Sequence, residues 1–105
     1  MSTLSTHVLD AALGVPAAGL EVTLSDGDDV LALATTDGDG RIAFQPTVDA
    51  GAHTLTFATG AWFVEAGRDT FFPEVTVAFE VDPGLAHHHV ALLLSPYSYT
   101  TYRGS

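Results

Sequence analysis

The sequence HHHVALLLSPYSYTTYRGS occupies residues 87–105 and contains the clearest strand signals of the chain. Its first apolar run extends from Val90 to Leu94, and a second run, rich in aromatic and β-branched residues, extends from Tyr97 to Tyr102. Pro96 interrupts them. Two β-prone runs on either side of a proline predict a β-hairpin that reaches almost to the C-terminus.

The register of this hairpin places polar groups at its open end. With the turn near Pro96, antiparallel pairing joins residues whose numbers add up to about 192. His89 is then expected opposite Arg103. An imidazole, a guanidinium and the carboxylate of Ser105 would share one end of the hairpin.

The rest of the chain contains short segments of alternating apolar and polar residues, separated by Gly, Pro and Asp. Alternation with a period of two is typical of strands that are buried on one face. Val30 to Thr35 alternates less, so we expect that strand to be more fully buried. The only predicted helix is Gly60 to Gly67. The sequence therefore predicts an all-β, antiparallel two-sheet β-sandwich of seven or eight strands with one short helix, in a single domain of residues 1–105. The predicted strands outside the hairpin are 3–9, 20–24, 30–35, 41–44, 53–58 and 74–81.

Composition narrows the function. The chain has 47% hydrophobic residues, no cysteine and a formal net charge of −10. Disulfides and thiolate metal sites are excluded, and nucleic acid and anionic membranes are poor partners for such an acidic surface. No stretch approaches the ~20 apolar residues of a membrane span, and the N-terminus does not read as a signal peptide. We expect a cytoplasmic protein.

Three places in the chain could carry chemistry. His87 and His89 lie two residues apart on a predicted strand and share a face. They could be half of a zinc site, a polar cluster without a role, or the source of a general base. His7 is a lone histidine in a strand, which is more often structural. Arg41 follows the turn DGDG, where a charge usually pairs with a neighbouring acid such as Asp37.

Four motifs resemble those of one family, in the same order along the chain. They are STHVLD at 5–10, TDGDGRI at 36–42, FFPEVTVAF at 71–79 and YRGS at 102–105. Together they resemble the 5-hydroxyisourate hydrolases, the transthyretin-related proteins. The segment LLSPYSYTT is also similar to transthyretin itself, a hormone carrier that lacks the YRGS ending. The resemblance implies a transthyretin/prealbumin-like sandwich with a short helix after the fifth strand.

The resemblance also implies the roles of the site residues. By this resemblance, His7, Arg41 and His89 would be the catalytic residues of this chain. The two histidines would hold and deprotonate a water, and Arg41 would bind the substrate and stabilise the charge that develops on its oxygen. The water opens the six-membered ring of 5-hydroxyisourate, giving 2-oxo-4-hydroxy-4-carboxy-5-ureidoimidazoline. No metal and no cofactor is implied, and the assembly would be a homotetramer, a dimer of dimers. The residues expected to bind substrate are Arg41, Tyr102, Arg103, Gly104 and Ser105.

Two departures from the hydrolase pattern leave alternatives open. Ala91 stands where proline is expected and Ser98 where glycine is expected, and both substitutions look transthyretin-like. A non-catalytic carrier of small ligands is therefore one alternative. A zinc hydrolase that uses His7, His87 and His89 is another, and a β-sandwich interaction module without a site is a third.

Overall fold

The computed structural model describes all of residues 1–105 and contains nine strands and one helix. In chain order they are β1 Thr3–Asp10, β2 Val15–Pro16, β3 Glu21–Asp26, β4 Asp29–Thr35, β5 Arg41–Ala43, β6 Gly51–Phe57, α1 Thr59–Glu65, β7 Val75–Val81, β8 His87–Ser95 and β9 Ser98–Arg103. No helix is long and apolar enough to cross a membrane.

The strands form two sheets that pack face to face. One sheet has the order β2-β1-β8-β9, with β5 also paired to β1, and the other has the order β4-β3-β6-β7. Residues of β1, β3, β5, β6, β7, β8 and α1, together with residues of the connecting loops, form a common core of 17 buried residues. Phe57 of β6 and Phe63 of α1 are its largest fully buried side chains, each stabilising the fold by about 1.5–3 kcal/mol. The predicted two-sheet sandwich is confirmed.

The centre of the five-stranded sheet is the pair β1–β8, which runs parallel. All other strand pairs are antiparallel. The buried Thr6 hydroxyl strengthens this pair by donating to the carbonyl of Val90 at 2.7 Å. The sequence predicted antiparallel sheets throughout. The periodicity of side chains along a strand does not show whether that strand runs parallel or antiparallel to a distant one. The parallel orientation of β1 and β8 therefore could not be predicted from it.

Three further expectations differ from the structure. There are nine strands because the connection after β1 forms the two-residue strand β2. β4 is not more buried: it is the edge of its sheet, and Val30 and Leu33 are 65% and 61% exposed. β4 alternates little because apolar side chains also occupy its exposed positions. In the terminal hairpin, Ser95 pairs with Ser98 and Val90 with Arg103, one residue away from the expected register.

The helix ends two residues earlier than predicted, and the loop that follows it carries a buried ion pair. Arg68 Nη1 lies 2.6 Å from Oδ2 of Asp10, whose side chain is fully buried. Asp10 Oδ1 also accepts the backbone N–H groups of Ala12 and Leu13. Burial raises the pKa of Asp10, but the hydrogen bonds and charge of Arg68 and these N–H groups outweigh it, so the pKa lies below its usual value. Arg68 thus fastens the helical segment to β1.

We predict that Arg68→Met destabilises the protein by about 3–5 kcal/mol, because it leaves the buried Asp10 carboxylate without its partner. Since folding lowers the pKa of Asp10, the contribution is present at neutral pH and disappears as the pH falls through the lowered pKa. The two proteins should therefore converge in stability in strong acid. Urea unfolding at several pH values measures this. Asp69→Asn, which changes an exposed neighbour, is the control. A loss below about 0.5 kcal/mol at neutral pH, the range of ordinary surface substitutions, would contradict the prediction.

Candidate active site

The outer face of the five-stranded sheet collects the candidate residues. His7 of β1 lies directly opposite Arg41 of β5 in their antiparallel pair. On the other side of β1, Ser5 is the parallel neighbour of His89. Because alternate residues of a strand share a face, Ser5 and His7 present their side chains on the surface opposite the core. The structure therefore brings His7, Arg41 and His89 onto one face.

The turn before β5 fixes the position of Arg41. Asp37 Oδ1 accepts the backbone N–H groups of Asp39 and Arg41, each at 2.9 Å. Gly40 has a φ of +76°, and a Cβ atom there would lie 2.3 Å from the Val8 carbonyl oxygen. Only glycine allows this turn to approach β1 so closely. The hydrogen bond from the Arg41 N–H, with that from Asp39 and the charges of Arg41 and His7, lowers the pKa of Asp37 and keeps it ionised beside the arginine.

These residues surround an open cleft of about 440 Å³. Arg41, His89 and Ser105, three of the predicted site residues, contribute to its lining. His7 stands beside the cleft and does not line it. Its Nε2 lies 2.9 Å from the carbonyl oxygen of Asp39. A carbonyl can only accept, so Nε2 carries the proton of the neutral ring and Nδ1 keeps the lone pair. The full lining is Ser5, Thr6, Asp37, Arg41, Ile42, Ala43, His87, His89 and Ser105.

His89 is the half-buried imidazole of the cleft. Burial, followed by repulsion from the positive charge of Arg41 and from His7 and His87 when they are protonated, lowers the pKa of His89 below its ordinary value. Its ring is consequently neutral at neutral pH. Nδ1 lies 2.7 Å from the hydroxyl of Ser5, which leaves Nε2 free. A neutral, held imidazole with one free nitrogen can accept a proton from water.

The end of the chain packs directly against this ring. The Gly104 N–H donates to the carbonyl of His89 at 2.8 Å. A Cβ atom on Gly104 would lie 2.3 Å from Cδ2 of the His89 ring, so any side chain there would displace the imidazole. The resemblance implied that Gly104 binds substrate; the structure places it against the His89 ring and not in the lining of the cleft. Gly104, not Arg103, is the residue that meets His89.

Two residues that were expected to bind substrate, Tyr102 and Arg103, do not line this cleft. Arg103 lies opposite the core residue Val90, and Tyr102 lies opposite Ala91 on the outer face. Both line a neighbouring groove of about 270 Å³ between β7 and the end of β9. Arg103 also lines a smaller cavity together with His87, His89, Gly104 and Ser105. Ser105 lines both the cleft and this smaller cavity, so the C-terminal segment lies between them.

The side chains of His88 and His7 are each engaged by a backbone group. His88 points into the core, and its Nε2 accepts the backbone N–H of Asp82 at 3.0 Å. His7 is held by the Asp39 carbonyl. No group of three or more His, Cys, Asp or Glu side chains is placed to hold a metal ion. The zinc alternative, which required His7, His87 and His89 together, has no geometric support.

Sequence reasoning missed Ser5 and left Asp37 as a mere pairing partner. Ser5 lies between His87 and His89, at 2.9 Å from Nε2 of the first and 2.7 Å from Nδ1 of the second. A signal existed in the alternation of Thr3, Ser5 and His7. It could be used only with the parallel register of β1 and β8, which the sequence does not reveal.

Fold and site together define a two-sheet β-sandwich with a histidine–arginine cleft on the outer face of one sheet. The sequence model described as HIUase/Transthyretin family matches residues 4–104. The chain belongs to this family. The 5-hydroxyisourate hydrolase of Salmonella typhimurium is 46% identical over 97% of this chain and 80% of its own length.

Solved structures agree with this assignment. The 5-hydroxyisourate hydrolase of Klebsiella pneumoniae superposes with a TM-score of 0.93 at 44% identity, covering 100% of both chains. Sea bream transthyretin, solved in complex with thyroxine, superposes with a TM-score of 0.86 at 32% identity, covering 96% of this chain and 93% of its own. The sandwich is thus shared by hydrolases and by a thyroxine-binding protein.

We predict that Gly104→Ala lowers kcat by about tenfold or more while the fold is kept, because the added methyl group displaces the His89 ring and misplaced catalytic groups lose rate steeply. Steady-state kinetics with 5-hydroxyisourate and thermal unfolding measure the two effects. Gly84→Ala is the matched control, since its added Cβ meets only the flexible side chain of Asp82 at 3.2 Å. Full activity of Gly104→Ala would show that the contact with His89 has no catalytic importance.

Proposed function

We propose that this protein is a 5-hydroxyisourate hydrolase, an enzyme of urate degradation that opens the six-membered ring of 5-hydroxyisourate by hydrolysis. One observation carries the proposal: a neutral imidazole, an arginine and the end of the chain line the same cleft. The hydrolases among its relatives supply the substrate.

The cleft also favours an enzyme over a carrier. A carrier pocket for a drug-sized ligand is mostly apolar, whereas only two of the nine residues that line this cleft are hydrophobic. The lowered pKa of His89 is unnecessary for simple binding but useful to a general base at neutral pH. Arg41 adds a permanent positive charge in a chain of net charge −10. A small, weakly acidic substrate is attracted to that position.

The proposed chemistry divides the roles among three side chains. Nε2 of His89 removes a proton from a water that attacks a ring carbonyl carbon of the substrate. His7 lies on the same face beside the cleft, and its part in the proposal is to help hold that water from there through Nδ1, the nitrogen not bonded to Asp39. As the carbonyl oxygen becomes negative, the Arg41 guanidinium stabilises it by donating hydrogen bonds. The intermediate then collapses, the ring C–N bond breaks, and the protonated His89 gives its proton to the departing nitrogen. General-base assistance of this kind contributes roughly 10²–10⁴-fold. Ser105 closes one side of the cleft, while Tyr102 and Arg103 stand farther out and can meet the substrate only from its edge.

The assembly and location belong to the same proposal. A homotetramer, a dimer of dimers, fits two exposed edges: β7 and β9 each end their sheet and flank an open groove. Unpaired edges are satisfied when a second copy adds strands to them. We place the enzyme in the cytoplasm as one domain of residues 1–105, with no cofactor.

We predict that the purified protein accelerates the decay of freshly made 5-hydroxyisourate, followed by its ultraviolet absorbance. His89→Ala and Arg41→Ala should each lower kcat/KM by about 10²-fold or more, since each removes a group in contact with the reacting atoms. Removal of residues 102–105 should also abolish most activity. His53→Ala is unsuitable as a control because His53 is buried; Asp69→Asn, at an exposed loop, serves instead.

Each alternative has its own outcome in this assay. A wild-type protein that leaves the decay unchanged would contradict the proposal and favour a carrier. Activity that EDTA removes and Zn²⁺ restores would favour the metal alternative. Full activity in His89→Ala and Arg41→Ala would overturn the assignment of the residues, though the enzyme itself would stand.

We predict that the acid limb of the kcat/KM profile lies below the ordinary pKa of histidine, because folding lowers the pKa of His89. A base must be unprotonated, so activity falls as the pH drops through this lowered pKa. Arg41→Met should raise the pKa of His89 measured by NMR titration, since it removes one of the charges that lower it. Arg103→Met should leave that pKa unchanged. A His89 pKa at or above its ordinary value would contradict the prediction.

A further inference from the structure

Four side chains form a continuous hydrogen-bonded chain along the β1–β8 pair. The hydroxyl of Thr3 lies 2.6 Å from Nδ1 of His87. Nε2 of the same ring lies 2.9 Å from the hydroxyl of Ser5, which in turn lies 2.7 Å from Nδ1 of His89. Hydroxyls on β1 thus alternate with imidazoles on β8, because Thr3 and Ser5 are the parallel partners of His87 and His89.

The carbonyl of Ala86 favours one direction for this chain. It accepts the backbone N–H of Thr3 at 2.9 Å, and the Thr3 hydroxyl also lies 3.3 Å from the same oxygen, a long contact in which the carbonyl can only accept. If Thr3 gives its single proton to Ala86, its oxygen must accept from Nδ1–H of His87. A neutral imidazole carries only one N–H, so Nε2 of His87 is then an acceptor and receives the proton of Ser5.

Counting the protons in the same way determines the tautomer of His89. Ser5 has one proton and has given it to His87, so its oxygen accepts from Nδ1–H of His89. The neutral His89 ring then has no proton on Nε2. This is the nitrogen with no partner in the chain, and the one to which the proposed function assigns removal of a proton from water. The opposite direction would leave Nε2 protonated and unable to act as a base.

We propose that Ser5 is a positioning residue that transmits this direction from the Ala86 carbonyl, through Thr3 and His87, and holds His89 as the Nδ1–H tautomer with Nε2 free. The catalytic part of the inference rests on the proposed hydrolase function. The tautomer itself does not, since it is a property of the resting protein. Ser5 touches His89 and acts through it. We expect a contribution of about 10–100-fold, by analogy with the hydrogen-bond partners that orient metal-bound histidines.

The test combines the nitrogen NMR spectrum of the imidazoles with kinetics. In ¹⁵N-histidine-labelled wild-type protein above neutral pH, we expect the His89 proton on Nδ1. Ser5→Ala should move that proton wholly or partly to Nε2 and lower kcat by about 10–100-fold, with a smaller change in KM. Ser5→Thr keeps a hydroxyl and should restore most of both properties. Ser25→Ala, which removes a half-buried hydroxyl of β3 in the other sheet, should change neither.

A second variant tests the direction and not only the contact. Thr3→Val removes the link to the Ala86 carbonyl but leaves Ser5 in place, so the His89 spectrum should show a mixture of tautomers. A wild-type His89 with its proton on Nε2 would overturn the proposal. So would a Ser5→Ala variant with unchanged tautomer and kcat. A wild-type protein without hydrolase activity would contradict the proposed function, and the spectra would still decide whether the chain of hydrogen bonds exists.

Discussion

The parallel pairing of β1 with β8 is the constraint on which the site depends. It joins the first and the penultimate strands of the chain over eight residue pairs, from Thr3–His87 to Asp10–Leu94. Because side chains alternate across a strand, a shift of one residue would turn every side chain of one strand to the other face. Ser5 would then lose His89, and Leu4 and Val8 would leave the core. Packing of the inner face therefore determines the geometry of the outer one.

β1 contributes both to the packing of the core and to the positions of the site residues. Leu4, Thr6, Val8 and Asp10 are all buried, and each has its own means of fixing the strand. Thr6 donates to β8 through its hydroxyl, and Asp10 is paired with Arg68 from the segment after the helix. The alternate residues Ser5 and His7 are then held with little freedom of their own. A site built on such a strand is more exact than one on a mobile loop. Arg41 begins β5 directly after a turn, and Asp37 stabilises that turn by accepting two backbone N–H groups.

Features that neighbouring residues determine could be predicted from the sequence, whereas features that depend on contacts between distant residues could not. Alternation within β3, β6 and β7 is local, so these strands were predicted to within two residues of their observed bounds. The hairpin of β8 and β9 was also predicted, although a two-residue turn between Ser95 and Ser98 shifted its register by one. The resemblance named His7, Arg41 and His89, which the structure places on one face. The role of Ser5 and the pair of Asp10 with Arg68, 58 residues apart, arise only from tertiary contacts. No local pattern encodes them.

The separation of core and site onto alternate residues also explains how one sandwich can serve different functions. The core positions of β1 and β8 are buried and cannot change without a cost in packing. The outer positions add little to that packing, so they can be exchanged while the fold stays the same. The similarity to sea bream transthyretin, with a TM-score of 0.86 at 32% identity, is consistent with this independence. Function in this family must therefore be argued from the outer face. In this chain that face bears a hydrogen-bonded row of hydroxyls and imidazoles ending at a free ring nitrogen, which is an arrangement suited to moving a proton.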